Sequence, residues 1–296
     1  MRTDTLRGCG TAMVTPFARD GSVDERALRG LVDWQIDEGI HFLVPCGSTG
    51  EAATLSVAEH RRVVEIVVEQ ARGRVPICAG AGSNDTRRAI AQSQDMKAVG
   101  ATHLLHVTPM YNKPPQRGLV AHFRAIAESV DLPIVLYNVP GRTGGNMEAR
   151  TTLELAKIPN IVAVKEASGN LAQIGDILHR RPPGFAVLSG DDALTLSVMS
   201  GGGEGVISVV SNATPRMMSE LTNRMAAGDV YGARTLHDRL WSWMQAAFIE
   251  SNPIPVKRAL ALMGRIENVL RLPLVPLADS HEAAVRESLV AAGALP

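Results

Sequence analysis

Neither sign of charge predominates in this 296-residue chain, in which 30 Lys and Arg balance 30 Asp and Glu. A neutral chain carries no electrostatic footprint for nucleic acid or for an anionic membrane, so neither is expected as a partner. Cysteine is scarce. Cys9, Cys46 and Cys78 are odd in number and fit no zinc or C-x-x-C spacing, which argues against a disulfide framework and for a reduced, cytoplasmic protein. Long apolar runs are missing. Nothing approaches the roughly 18 residues of a membrane span, and Met1 to Arg7 lead into no signal-peptide core. What is present is 45% hydrophobic and 20% charged residues, the make-up of a globular chain able to bury a large core.

Short apolar runs alternate with longer amphipathic ones. Strands are expected at Thr11–Thr15, His41–Val44, Val75–Ala79, His103–Val107, Ile134–Tyr137, Ile161–Lys165, Phe185–Leu188 and Gly205–Val209. Helical patterns separate them, as at Asp24–Glu38, Val57–Arg72 and Asp85–Val99. Eight such units predict an α/β fold, a closed (β/α)8 TIM barrel. A doubly wound sheet would carry a glycine fingerprint after its first strand, and Pro16-Phe17-Ala18-Arg19-Asp20-Gly21 is none. After about residue 229 only helical patterns continue, at Tyr231–Phe248, Pro255–Met263 and Ser280–Ala292. The expected organisation is a barrel over residues 1–228 with a C-terminal helical extension over 229–296.

In such barrels the chemistry lies at the carboxyl ends of the strands. Lys165 ends the run Ile161-Val162-Ala163-Val164. A buried ammonium sheds its hydration at high cost, and the cheapest response is to lose the proton, which makes the amine a nucleophile towards carbonyls. The run equally suits a strand-end lysine whose amine reaches solvent. Tyr137 ends the preceding strand, whose backbone should lie about 4.8 Å away. Alternation puts Ile161, Ala163 and Lys165 on one face, and Val135 and Tyr137 on one face. If both faces point inward, a phenol and an amine meet at the barrel mouth as a proton-relay pair. Cys46-Gly47-Ser48-Thr49-Gly50-Glu51 follows the second strand. Its tight turn exposes backbone N–H groups that could hold a carboxylate, or it is an ordinary strand-to-helix turn.

Other candidates fall away. Gly201-Gly202-Gly203-Glu204-Gly205 precedes a strand and lacks the Gly-Lys-Ser/Thr ending of a P-loop. Asp191-Asp192 has no His or Glu at ligand spacing, so no metal is expected and one of the pair should cap the next helix. His103 and His106 read as structural, and Cys46 as a small buried apolar residue.

Taken together the chain resembles the dihydrodipicolinate synthase family, within the wider N-acetylneuraminate lyase superfamily of class I aldolases. The resemblance runs over nearly the whole length. It rests on Gly47-Ser48-Thr49-Gly50-Glu51, Thr108-Pro109-Met110-Tyr111-Asn112-Lys113-Pro114, and Leu136-Tyr137-Asn138-Val139-Pro140-Gly141-Arg142-Thr143-Gly144. It continues in Val164-Lys165-Glu166-Ala167-Ser168-Gly169-Asn170, Leu188-Ser189-Gly190-Asp191-Asp192 and Asn252-Pro253-Ile254-Pro255-Val256-Lys257. These motifs stand in the family's order and spacing.

The resemblance implies that Lys165 forms a Schiff base with pyruvate and that no further cofactor is needed. Tyr137 would shuttle protons with Ser48 and with Tyr111, the last reaching in from a neighbouring subunit. The N–H groups of Ser48 and Thr49 would hold the pyruvate carboxylate, and Gly190 and Ile207 would line the pyruvate site. The partner substrate would be L-aspartate 4-semialdehyde, the product 4-hydroxy-tetrahydrodipicolinate on the route to diaminopimelate and lysine, and the assembly a homotetramer of two dimers. Arg142 narrows the substrate, because a planar guanidinium suits bidentate capture of a second carboxylate. A pyruvate-dependent aldolase acting on a sugar acid or hydroxy-oxo acid is the alternative, and an inert binding relative is a third reading. The chain departs from the family in three ways. Ser48 replaces the usual Thr, Met110 replaces a tyrosine, and Val57, Arg88 and Met110 occupy positions where lysine-inhibited members carry His, Glu and that tyrosine. Asn84 and His60 match that pocket, but Arg88 would repel a cationic ligand, so weak or absent lysine feedback is expected.

Overall fold

The structure, a computed structural model, describes residues 6–296. Eight strands form one parallel sheet: β1 Gly8–Ala12, β2 Phe42–Val44, β3 Cys78–Gly80, β4 His103–Val107, β5 Ile134–Asn138, β6 Ile161–Glu166, β7 Ala186–Ser189 and β8 Gly205–Ser208. Each neighbour in sequence is a neighbour in space, and β8 returns to pair with β1. The ring closes between β2 and β3 through a parallel bridge of Leu43 to Ile77, beside the Leu43 N–H bond to the Pro76 carbonyl at 3.0 Å. The expected TIM barrel is therefore the observed one.

The strands are buried on both faces, which is why they read as continuous apolar runs rather than alternating ones. One hydrophobic cluster fills the barrel, with Phe42, Leu105, Val135, Ala163, Leu188 and Ile207 among its members. The other faces the helices, with Leu43, Leu104, Leu136, Val164, Val187 and Val206. Helix starts follow their local chemistry. Asp24 accepts the N–H of Ala27 at the start of Glu25–Asp37, and Ser56 and Glu59 form a reciprocal capping box at Val57–Ala71.

Three expectations need correction. The first strand is Gly8–Ala12, not Thr11–Thr15. The glycines that look like a turn serve close packing: a Cβ on Gly10 would fall 2.0 Å from the Phe42 ring, and one on Gly205 would fall 1.9 Å from the Gly8 carbonyl oxygen. Likewise β3 begins only at Cys78, because Pro76 precedes it and cannot donate to a ladder. Third, Ile161 does not share the face of Ala163 and Lys165. The β5–β6 register shifts between Ile134 and Val135, so Val162 is the extra residue, and Ile161 turns to the helix-facing cluster. Beyond the bulge the alternation resumes, and Lys165 keeps its inward direction.

After helix Pro215–Ala226 the chain adds helices Val230–Ala246, Ile254–Leu262 and Asp279–Ala292. Trp243, fully buried, ties the first of them to the barrel by donating from Nε1 to the Val210 carbonyl at 3.2 Å. Among the described residues no helix is long and apolar enough to cross a membrane.

Candidate active site

A cleft of about 360 Å³ opens at the carboxyl ends of the strands. Lys165 and Tyr137 lie at its floor, 4% and 7% exposed. They are register partners on adjacent strands, so their side chains leave the sheet on the same side. The Lys165 amine sits 4.3 Å from the centre of the Tyr137 ring. Two lysines are buried among the described residues, and they differ. Lys257 is paired with the Glu51 carboxylate, while Lys165 has an aromatic face and no ion pair. An unpaired amine in a cleft is placed to react rather than to stabilise.

The pairing of the two strands is locked one residue further on. Glu166, opposite Asn138 in register, accepts from Asn138 Nδ2 at 3.1 and 3.2 Å, from the Ser168 N–H at 2.8 Å and from Gln173 Nε2 at 3.2 Å. Burial pushes its carboxyl above the usual range, and the donated hydrogen bonds oppose that shift. Gly190, just after β7, leaves room for the lysine stem. A Cβ there would meet Lys165 Cγ and Cε at 3.1 Å and Ala167 Cβ at 2.7 Å.

The loop after β2 forms one wall. Ser48 is exposed and Thr49 buried, and both line the cleft. The N–H groups of Gly50 and Glu51 turn back onto the carbonyls of Gly47 and Ser48 at 3.1 and 3.2 Å. Those of Ser48 and Thr49 donate to no acceptor among the described residues. Two adjacent N–H groups without an acceptor at the rim of a cleft are the kind of donors an anion nest uses. Arg142, in the short helix Pro140–Thr143, also lines the cleft and donates from Nη2 to the Asn252 carbonyl at 3.1 Å.

The structure thus brings Lys165, Tyr137, Ser48, Thr49, Arg142 and Gly190 to one cleft. Two other candidates lie elsewhere. Ile207 is fully buried inside the barrel and is not part of the lining, where Val209 stands instead. Tyr111 is 91% exposed on the loop beside Arg142, its N–H directed at the Thr143 carbonyl at 3.4 Å.

Residues that sequence reasoning did not single out complete the cleft. Gln245, Phe248 and Asn252 reach it from the C-terminal extension. Asn252 Nδ2 donates to Thr49 Oγ1 at 2.8 Å, while its own carbonyl accepts from Arg142. The Asn252-Pro253 motif marked the segment, but no periodicity in the sequence points it at the barrel. Asp191 caps the turn after β7 by accepting the Ala193 N–H at 3.0 Å. Asp192 is buried and holds the Val209 and Val210 N–H groups at 3.0 and 3.3 Å. No cluster of three potential metal ligands occurs among the described residues. Cys46 is buried, and burial pushes its thiol pKa up, away from nucleophilic use.

A model of the dihydrodipicolinate synthetase family matches residues 5–292. The chain belongs to that family. It is 54% identical over 291 residues to the 4-hydroxy-tetrahydrodipicolinate synthase of Koribacter versatilis, covering 98% of this chain and 97% of that one. It is 53% identical over 289 residues to the enzyme of that name from Nitratidesulfovibrio vulgaris, covering 97% and 99%. Among solved structures, the chloride-inhibited dihydrodipicolinate synthase of Acinetobacter baumannii in complex with pyruvate is 44% identical with a TM-score of 0.97, covering 98% of this chain and all of that one.

Proposed function

We infer that this family member is a lyase of the class I aldolase type. It condenses pyruvate with L-aspartate 4-semialdehyde to give 4-hydroxy-tetrahydrodipicolinate, in lysine and diaminopimelate biosynthesis. The observation that carries the chemistry is the inward-facing pair Lys165 and Tyr137, in register on adjacent strands with an unpaired amine in a cleft. The Lys165 amine adds to the pyruvate keto carbon, and water leaves to give the imine. Loss of a proton from the methyl carbon gives an enamine, with the imine nitrogen as electron sink, so the reading needs no cofactor. The enamine carbon attacks the aldehyde. The amino group of the second substrate then closes the ring on the imine carbon and releases Lys165.

Tyr137 moves protons at the amine it touches. The Ser48 and Thr49 N–H groups take the pyruvate carboxylate, and Gly190 leaves room for the lysine stem. Arg142 takes the carboxylate of the second substrate. Ser48 and Tyr111 extend the hydroxyl relay. The exposure of Tyr111 supports delivery of its phenol by a neighbouring subunit, and so at least a dimer, with a homotetramer of two dimers as the full assembly. The 1–228 barrel carries the catalytic groups. The 229–296 extension closes one side of the cleft, and a cytoplasmic location suits the substrates.

An aldehyde panel tests the choice of second substrate. With pyruvate held constant, L-aspartate 4-semialdehyde should turn over and polyhydroxylated aldehydes should not. Faster turnover of a sugar aldehyde would move the chain to the other pyruvate aldolases of the superfamily.

A further inference from the structure

The second buried lysine takes no part in this chemistry, yet it touches the loop that does. Lys257, in helix Ile254–Leu262, is 0% exposed. Its amine pairs with Glu51 Oε1, donates to the Val269 carbonyl at 2.9 Å and lies 4.1 Å from the centre of the Phe17 ring. Glu51 ends the Gly47–Glu51 turn in the left-handed region at φ 51°. Its other oxygen accepts the Arg271 N–H at 3.0 Å. The Arg271 side chain in turn binds Glu59 and the carbonyls of Gly21 and Thr54.

Each residue from Thr49 to Glu51 is therefore fastened. Thr49 is held through its hydroxyl by Asn252, and the Gly50 carbonyl accepts from Thr15 Oγ1 at 2.7 Å. Glu51 is held by Lys257 and Arg271. Three of these four anchoring residues come from the C-terminal extension. A buried ion pair is a weak source of stability, because desolvation offsets its attraction, but it fixes direction. Here the fixed object is a non-glycine residue in a left-handed turn, three positions from Ser48. Burial lowers the Lys257 ammonium to about 8, and the neighbouring Glu51 charge opposes the shift.

We propose that the Glu51–Lys257 pair is a positioning device that sets the direction of the Ser48 and Thr49 N–H groups and thereby the affinity for pyruvate. The proposal rests on the carboxylate role of that loop given under the proposed function. It separates Lys257 from catalysis, since Lys257 lies outside the cleft lining and acts through Glu51.

The test measures borohydride trapping of pyruvate on Lys165 against pyruvate concentration, together with steady-state kinetics and thermal unfolding. Lys257→Met keeps the stem and removes the charge. Glu51→Gln with Lys257→Met leaves no charge unpaired and retains an acceptor for the Arg271 N–H. Both should raise half-saturating pyruvate about tenfold, the equivalent of misaligning one charge-assisted hydrogen bond. The kcat at saturation should stay within about twofold, because such a change removes uniform binding. A folded double variant with wild-type half-saturation, or with a fall in kcat alone, overturns the proposal. A double variant that does not fold overturns it equally, by returning the pair to simple stability. If the wild-type protein traps no pyruvate, the functional reading itself fails. If the wild type traps it and the variants do so at the same concentrations, only the positioning role fails.

Discussion

Gly190→Ala isolates the geometry of the reactive lysine. Gly190 is not among the glycines in the left-handed region, so alanine suits its backbone and the effect of the change is purely steric. The new methyl would lie 2.7 Å from Ala167 Cβ and 3.1 Å from Lys165 Cγ and Cε. Carbon atoms in contact prefer about 3.5–4.0 Å. The shortfall is roughly 1 Å at Ala167 and about half that at Lys165. Ala167 follows the end of β6 and is held through its N–H to the Asn138 carbonyl at 2.9 Å, so the lysine stem is the part that yields. A displacement of that order at a reacting atom costs about 10- to 100-fold in rate. Overpacking at one site costs about 1–3 kcal/mol of stability. The expected outcome is a fall in kcat/KM of about 10- to 100-fold, with a folded protein whose Tm drops by only a few degrees. Steady-state assays, the rate of borohydride inactivation with pyruvate, and calorimetry measure the three quantities. Wild-type kinetics with a lowered Tm would refute the placement of Lys165 against Gly190.

Further outcomes follow from other parts of the site. Arg142→Ala should raise KM for aspartate semialdehyde about 10- to 100-fold, the worth of a charged hydrogen-bonded pair, while pyruvate imine formation persists; unchanged kinetics would sink the substrate assignment. Lys165→Ala and Tyr111→Phe should each be nearly inactive alone. If Tyr111 serves a neighbouring subunit, mixing and reassembling the two should restore activity, whereas no recovery on proven subunit exchange would put Tyr111 outside the relay. L-Lysine at sub-millimolar concentration should inhibit weakly or not at all, because Arg88 and the exposed Val57 replace ligand groups and the buried His60 is bonded to the Gly80 carbonyl at 2.8 Å; strong inhibition in a titration would contradict this. Finally, burial, with help from nearby His122, holds buried His106 down at about 3. An unfolded histidine titrates near 6.5, so the unfolded chain binds more protons between those values and stability falls as pH drops from about 6.5. His106→Gln should flatten that dependence by up to about 1.4 kcal/mol per pH unit, and an unchanged slope in denaturant titrations would show that His106 is not held neutral.

The barrel was legible because parallel strands buried on both faces leave short, continuous apolar runs, and His103–Val107 is found with the ends that its pattern gives. The errors have local causes. Gly8 and Gly10 look like turn residues, yet they are strand residues kept small by the His41 and Phe42 rings. Simple alternation misplaced Ile161 because nothing in Ile161-Val162-Ala163 announces a bulge. The floor of the cleft could be read from strand ends alone. Its far wall could not, because Gln245, Phe248 and Asn252 lie more than a hundred residues from Tyr137, and the helical pattern of Tyr231–Phe248 does not say what it packs against. Lys257 ends the Asn252–Lys257 motif but carries no role there, for a related reason. A lysine in an amphipathic helix normally faces water, and only the fold shows this one enclosed with Glu51.

The most direct test of the account is to reduce the wild-type protein with borohydride in the presence of pyruvate and to map the modification by mass spectrometry. A single reduced pyruvate adduct on Lys165, absent without pyruvate and absent in Lys165→Ala, is the predicted result. No adduct, or an adduct on Lys257 or a surface lysine with Lys165 unmodified, would contradict it.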